Sequence, residues 1–253
     1  MVNIRLSIGE KLMENIIVLT VRFNFGQGDE VIHPVILKDE SEMILVDCGY
    51  AGFLSLLEKS ASEKGLNLSE LTKVIVTHHD HDHMGSLAAI KSKYPQVKVI
   101  ASEKEAPFIA GKTKSLRLEQ AELAQHTLPP EQQEFGRMFQ SILKAVENED
   151  VDILVKDGDC FPWCGGIEII ETPGHMPGHI SIYLKRFKTL ISGDALAIEN
   201  EKLEIAAPQF TLDMAEAKKS IAKLCVFDIQ RIICYHGGVY KGDISKALQS
   251  IVS

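Results

Sequence analysis

The sequence predicts an α/β fold whose two halves share one rhythm, with a helical insertion between them. Short Ile- and Val-rich runs alternate with amphipathic stretches, and His- and Asp-rich segments follow several predicted strands directly. Between about 103 and 150 a polar, helix-like stretch interrupts that pattern.

In chain order, residues 16–25, 31–38 and 43–47 read as strands, parted by Gly26 and Gly28 and by the polar stretch 39–42. Gly49 and Gly52 break the chain. Phe53, Leu56, Leu57, Ser60 and Ala61 then follow helical spacing up to Gly65, a C-terminal stop. A buried strand at 73–77 runs into a histidine cluster. After Gly85 a helix extends to about Tyr94, stopped by Pro95, and 97–101 is again a strand. In the insertion, Phe135, Met138, Phe139, Ile142, Leu143 and Val146 recur at i, i+3, i+4, i+7, i+8 and i+11, one apolar helix face. That face fits a lid, a dimer surface or packing over the sheet. The second half gives strands at 151–156, 167–171, 180–184 and 189–192, and a helix at 214–227. A strand at 229–234 leads to His236, and a closing helix spans 244–251. One domain over 1–253 is the simplest organisation.

With 253 residues, 45% hydrophobic and 25% charged, the chain can bury a sizeable core. A net charge of −8 and no run of five basic residues argue against nucleic acid as a partner. The five cysteines (Cys48, Cys160, Cys164, Cys225, Cys234) are odd in number, and Cys160 and Cys164 are spaced C-x3-C. Neither a disulfide framework nor a thiolate zinc site fits; reduced, mostly buried thiols do. The first residues, with Arg5, Glu10, Lys11 and Glu14, lack a secretory pattern, and the apolar runs are too short to cross a membrane. A cytoplasmic protein follows by elimination.

The chemistry concentrates in Thr77-His78-His79-Asp80-His81-Asp82-His83-Met84-Gly85. Six consecutive imidazoles and carboxylates after a buried strand are costly to bury unless something pairs them, and a divalent metal does so. Four more places offer such groups beside a Gly or Pro: Asp47 before Cys48-Gly49, His175 after Pro173-Gly174, Asp194 after Gly193, and His236 before Gly237-Gly238.

These five segments, in this order across nearly the whole chain, resemble the motifs of the metallo-β-lactamase superfamily. The resemblance implies an αββα sandwich binding one or two metals at the sheet edges. The superfamily includes glyoxalase II-like thioesterases, lactonases, phosphodiesterases and flavo-diiron oxygen reductases. Its HxHxDH pattern falls on His78, Asp80, Asp82 and His83, with Asp80 where histidine is usual. By that likeness His78, Asp80 and His175 would hold one metal and Asp82, His83 and His236 another, with Asp194 bridging. Asp47 would orient a ligand without binding metal. His79 and His81 fall on the variable positions and would point away from the ions; His79 would act on a neighbour, and His179 would brace the loop carrying His175. His33 and His126 fit structural or exposed roles.

Two divalent ions would balance Asp80, Asp82, Asp194 and a bridging hydroxide, whereas one would leave net negative charge. Zinc is the first expectation; the carboxylate at position 80 keeps manganese and iron open. The implied function is a metal-dependent hydrolase whose metal-bound hydroxide cleaves a lactone, thioester or phosphoester in a small substrate, with Asp82 also moving a proton. The nearest likeness is to the glyoxalase II-like and lactonase-like branch. The alternative is an iron-dependent redox enzyme on the same fold; a third reading is metal binding without catalysis. Phe108, Phe135, Met138 and Phe139 are candidates either for pocket lining or for core. The insertion's apolar face permits a homodimer.

Overall fold

The computed structural model describes residues 15–26 and 28–252. The reading of the N-terminal residues as lacking a leader falls outside that range. The strands are β1 (Ile16–Val18), β2 (Val21–Asn24), β3 (Asp29–Ile32), β4 (Val35–Lys38), β5 (Met43–Val46), β6 (Lys73–Ile75), β7 (Lys98–Ser102) and β8 (Ile153–Val155). They continue with β9 (Cys160–Phe161), β10 (Ile167–Glu171), β11 (Ile180–Leu184), β12 (Thr189–Ile191), β13 (Ala197–Glu199), β14 (Lys202–Glu204), β15 (Arg231–Cys234) and β16 (Gly238–Val239). The helices are α1 (Leu54–Ser62), α2 (His81–Met84), α3 (Leu87–Lys93), α4 (Ala106–Ile109), α5 (Leu116–Gln125), α6 (Gln133–Lys144), α7 (Met214–Leu224) and α8 (Ile244–Val252).

Two six-stranded sheets form, ordered β1-β4-β5-β6-β7-β8 and β16-β15-β12-β11-β10-β9. The packing follows from the period-two alternation of buried strands. Ile44 and Val46 of β5 face Ile169, Ile182, Ile191 and Ile233 of the second sheet in a dry layer between the sheets. Leu45, one residue out of phase, packs on the opposite face with Leu57 and Ala61 of α1 and Leu87 and Ile90 of α3. The second sheet repeats the device, with Leu190 and Ile232 under Ile221, Leu224 and Leu248 of α7 and α8. Central strands buried on both faces read as continuous apolar runs, as Met43-Ile44-Leu45-Val46 does. The architecture is the expected αββα sandwich.

Each sheet carries the same unit. An antiparallel pair (β4 with β5, β11 with β12) is followed by a crossover to a parallel strand (β6, β15). The C-terminal ends of β5 and β6 therefore meet those of β12 and β15 at one edge of the sandwich, where α/β folds place ligands. Between β7 and β8 stand α4, α5 and α6.

Some boundaries differ from the sequence reading. The stretch 31–38 breaks at His33-Pro34 because Pro34 has no N–H for a ladder; its carbonyl instead accepts the Leu19 N–H at 2.9 Å. The stretch 16–25 divides likewise, β1 pairing with β4 and β2 with β3. The β13–β14 hairpin went unread because its two-residue turn, Asn200-Glu201, takes positive φ (49° and 64°) without the usual glycine. All five cysteines are free thiols, with Cys48, Cys164 and Cys234 buried and Cys160 and Cys225 exposed. No helix among the described residues is long and apolar enough to cross a membrane.

Candidate metal centre

The chain leaves β6 at Ile75 and enters the one-turn helix α2 at His81, so side chains from 78 to 83 fan out within a single turn. Gly85 closes that turn where a Cβ would stand 2.3 Å from the Ala51 amide nitrogen, so only glycine allows the approach. Asp47 sits at φ +59° at the end of β5. Its Oδ1 accepts the Thr77 N–H at 2.8 Å and its Oδ2 the Thr77 hydroxyl at 2.8 Å. Oδ2 also lies 2.8 Å from His83 Nδ1, which leaves His83 Nε2 facing the cluster. A non-glycine residue in this backbone region is held there by the bonds its side chain makes.

His78, Asp80, Asp82, His83, His175 and Asp194 are all buried, and the half-buried His236 completes the cluster. Three overlapping groups could each hold a metal: His78, Asp80 and His175; His78, His83 and Asp194; Asp82, His83 and His236. Donor atoms about 2.1 Å from an ion at tetrahedral angles stand roughly 3.4 Å apart. Asp80 Oδ2 lies 3.1 Å from His175 Nε2 and 3.6 Å from His78 Nε2. Asp82 Oδ2 lies 3.1 Å from His236 Nε2 and 3.6 Å from His83 Nε2. Asp194 Oδ2 reaches both sets, 3.6 Å from His175, 3.3 Å from His83 and 3.6 Å from His236. His78 Nε2, His83 Nε2 and Asp194 Oδ1 are buried without a hydrogen-bond partner. Buried polar atoms without partners are rare in native proteins, and a divalent ion fits the donors present here.

The electrostatics follow. Burial alone would raise the Asp80 carboxyl, but His175, His78 and the charge of Arg117 hold it well below the usual carboxylate range. Asp194 is likewise low because His83 and His236 outweigh its burial. Burial pulls the His83 imidazole down, yet Asp194, Asp82 and Asp47 carry it well above the ordinary value. His179 is held well below by burial and by His78 and His175, in keeping with a neutral ring.

His179 does more than brace its own loop. Its Nε2 accepts the Asp194 N–H at 2.9 Å while Nδ1 meets the Thr172 hydroxyl at 2.9 Å, so it sets the backbone under Asp194. A Cβ on Gly193 would lie 2.6 Å from that Nε2. His79 belongs to none of the three metal-capable groups. Its Nδ1 pairs with Glu105 Oε2, its Nε2 receives the Leu116 N–H at 3.3 Å, and its ring stacks on Phe108 at 4.3 Å. His81 also stands outside the three groups, but it faces the cleft, edge-on to Tyr50 and Phe139. His33 ties its Nδ1 to the Leu19 carbonyl at 3.0 Å, and His126 is exposed at the end of α5.

Two residues escaped the sequence reading. Glu105, fully buried, accepts the N–H groups of His79 (2.9 Å) and Gly178 (2.8 Å), joining the loops that carry His78 and His175. Arg117, on α5, grips Asp80 through Nε (3.1 Å) and Nη2 (2.7 Å). Nothing local to either residue signals these roles, because Glu105 lies 26 positions from His79 and Arg117 lies 37 from Asp80. Counting Arg117, one divalent ion already balances the three aspartates, so charge alone does not decide between one ion and two.

Above the cluster lies a cavity of about 440 Å³ walled by Tyr50, His81, Arg117, Phe139 and Phe210. It adjoins an apolar groove of about 540 Å³ formed by Phe25, Tyr50, Phe135, Met138, Phe139 and Ile142. Phe135, Met138 and Ile142 are 53%, 51% and 43% exposed, so this face of α6 lines a groove; it is not core. Phe108 lies away from the groove, against His79.

The sequence model of the metallo-beta-lactamase superfamily matches residues 28–236, spanning all five motif segments. The chain belongs to that superfamily. It is thus a metallo-hydrolase by class. It is 26% identical over 218 residues to the "Probable metallo-hydrolase YflN" of Bacillus subtilis (strain 168), covering 79% of this chain and 77% of that protein. A "Hydroxyacylglutathione hydrolase" of Prochlorococcus marinus is 27% identical over 178 residues, 66% of this chain and 54% of that one. Among solved structures, a metallo-beta-lactamase family protein from Thermus thermophilus superposes with a TM-score of 0.75 at 20% identity, over 95% of this chain and 79% of that one. This last likeness supports the fold alone.

Proposed function

We propose that the chain hydrolyses an ester-like bond in a small substrate with two divalent ions, zinc first. The observation that carries this is the pair of donor sets at metal-ligand spacing that share Asp194 Oδ2. His78, Asp80 and His175 would hold one ion and Asp82, His83 and His236 the other. Bound there, the ions would lower the pKa of a water toward about 7 and polarise the scissile bond.

The chain's own residues supply the rest. Asp47 fixes the His83 ring through Nδ1, and His179 fixes Asp194 through its N–H. Asp82, whose carboxylate opens on the cavity, is placed to return a proton to the leaving group. Tyr50 and Phe139 border both the cavity and the groove, so a substrate with its reacting bond at the cluster would lay an apolar arm along α6. That geometry favours a lactone or thioester over a compact phosphoester, and the likeness to a hydroxyacylglutathione hydrolase leans toward the thioester, the glyoxalase II-like side.

Elemental analysis of the untagged protein purified without added metal tests this first. Two equivalents of zinc or manganese per chain, with turnover of lactone or thioester substrates carrying apolar arms, is the expected outcome. Iron as the main metal, with oxygen uptake and no hydrolysis, would replace this reading by the redox one. Protein that takes up no divalent ion would end both.

A further inference from the structure

Asp80 stands where the superfamily pattern has histidine, and what accompanies it comes from the insertion. Arg117 is 3% exposed and presents Nε and Nη2 to the two oxygens of Asp80 at 3.1 and 2.7 Å, the two-point hold of a guanidinium on a carboxylate. It makes two further bonds, Nη1 donating to Gln120 Oε1 at 2.7 Å and Nη2 to the Phe210 carbonyl at 2.8 Å. The guanidinium is therefore held mainly by protein partners at the cavity wall. The start of α5 is in turn fixed to the metal loop, because Leu116 donates its N–H to His79 Nε2 at 3.3 Å and Ser115 caps the helix. Asp80 Oδ2 keeps a direction toward His175 and His78 while Arg117 holds it.

We infer that Arg117 is a positioning residue for the metal centre, and that Asp80 and Arg117 together act as one neutral ligand unit standing in for histidine. A buried carboxylate brings a charge that histidine does not, and a free carboxylate turns about its last torsion more readily than a packed imidazole. The fork answers both: it cancels the charge and fixes the plane of the donor oxygens. Because the cation sits on the insertion and also holds the Phe210 carbonyl, the same residue links the metal loop, α5 and the cavity wall.

The inference rests on the metal-centre reading, and a swap experiment separates the two. The full-length chain and its Arg117→Gln, Asp80→His and Asp80→His/Arg117→Gln variants are each loaded with zinc and dialysed against a weak chelator. Bound zinc is then counted, and folding is followed by circular dichroism. Arg117→Gln, which frees Asp80, and Asp80→His, which leaves a buried guanidinium facing the ions, are each expected to lose one zinc equivalent. The double variant, neutral again with an imidazole at position 80, is expected to hold two. Arg117→Gln retaining two zinc ions at wild-type affinity overturns the inference, as does a double variant no better than the worse single. Should Arg117→Gln fail to fold, the double variant still decides, since folding with two zinc ions supports the unit and misfolding defeats it. A wild-type chain that binds no zinc defeats the metal-centre reading itself.

Discussion

The loop from Thr77 to Gly85 and the insertion carrying α4 to α6 both build the site, but by different means. In the loop, neighbouring residues divide at once. His78, Asp80, Asp82 and His83 enter the cluster, His79 turns to Glu105, and His81 to the cleft wall. Every one of these roles follows from a turn fixed by backbone geometry. The insertion contributes single side chains over long separations, Glu105 to Gly178 and Arg117 to Asp80 and Phe210. A functional loop can thus be local and dense, while the parts that steady it are scattered.

Breaking the loop's cluster at its centre should have the largest effect. Asp194→Ala removes the Oδ2 that reaches both donor sets, so bound metal should fall from two equivalents to one or none by elemental analysis. Activity should drop by on the order of 10³-fold or more. Retention of both ions would mean that Asp194 is not shared. His79→Ala probes the residue beside the cluster. It leaves Glu105 buried without its imidazole partner, which costs about 1–3 kcal/mol and should lower the thermal midpoint by several degrees. Metal content at saturating zinc should stay near the wild-type level. Loss of an ion instead would place His79 among the ligands and shift the register of the whole loop.

These two regions also differ in how far the sequence spoke for them. Asp47, His175, Asp194 and His236 stand out because each comes after a strand-like apolar run with Gly or Pro close by, and His78 because it opens a dense run of imidazoles and carboxylates directly after a strand. The central strands at 167–171 and 180–184 are legible because isoleucines recur at alternate positions in short strand-sized runs, Ile167 and Ile169 in one and Ile180 and Ile182 in the other. Arg117 carries no such mark: in the helical stretch Leu116-Arg117-Leu118-Glu119 it looks like any solvated arginine, and only the approach of α5 to the loop buries it. The face of Phe135, Met138 and Ile142 stays open on sequence alone between pocket lining, core packing and a dimer surface. Helical spacing reports an apolar stripe but not what lies opposite, and here it faces an open groove instead of the sheet.

That groove gives the third test. Met138→Ser removes an exposed apolar side chain, so stability should change by no more than about 0.5 kcal/mol. KM for a lactone or thioester with a long apolar arm should rise by roughly 10-fold, while a short-armed analogue should be unaffected. A fall of several degrees in the thermal midpoint would show that the face is packed and would return α6 to the core.

The smallest effect is expected where the insertion rejoins the sheet. Asp152 accepts the Val99 N–H at 2.9 Å and pairs with Lys91 at 3.0 Å and Lys98 at 2.9 Å. Burial alone would raise its carboxyl, but the Val99 amide and the two lysines bring it down to about 2. A carboxyl depressed in the folded state contributes its full stability above the unfolded value near 3.9 and loses it as pH falls toward 2. The contacts are partly exposed and screened, so Asp152→Asn should cost under about 1 kcal/mol at pH 6 in low salt. The urea midpoints of variant and wild type should approach each other as the pH drops from about 4 toward 2.5. A gap that persists undiminished in acid would assign the effect to the lost geometry at Val99 and not to charge. In that case the insertion, like the metal loop, would be held by a fixed hydrogen bond more than by its surface ions.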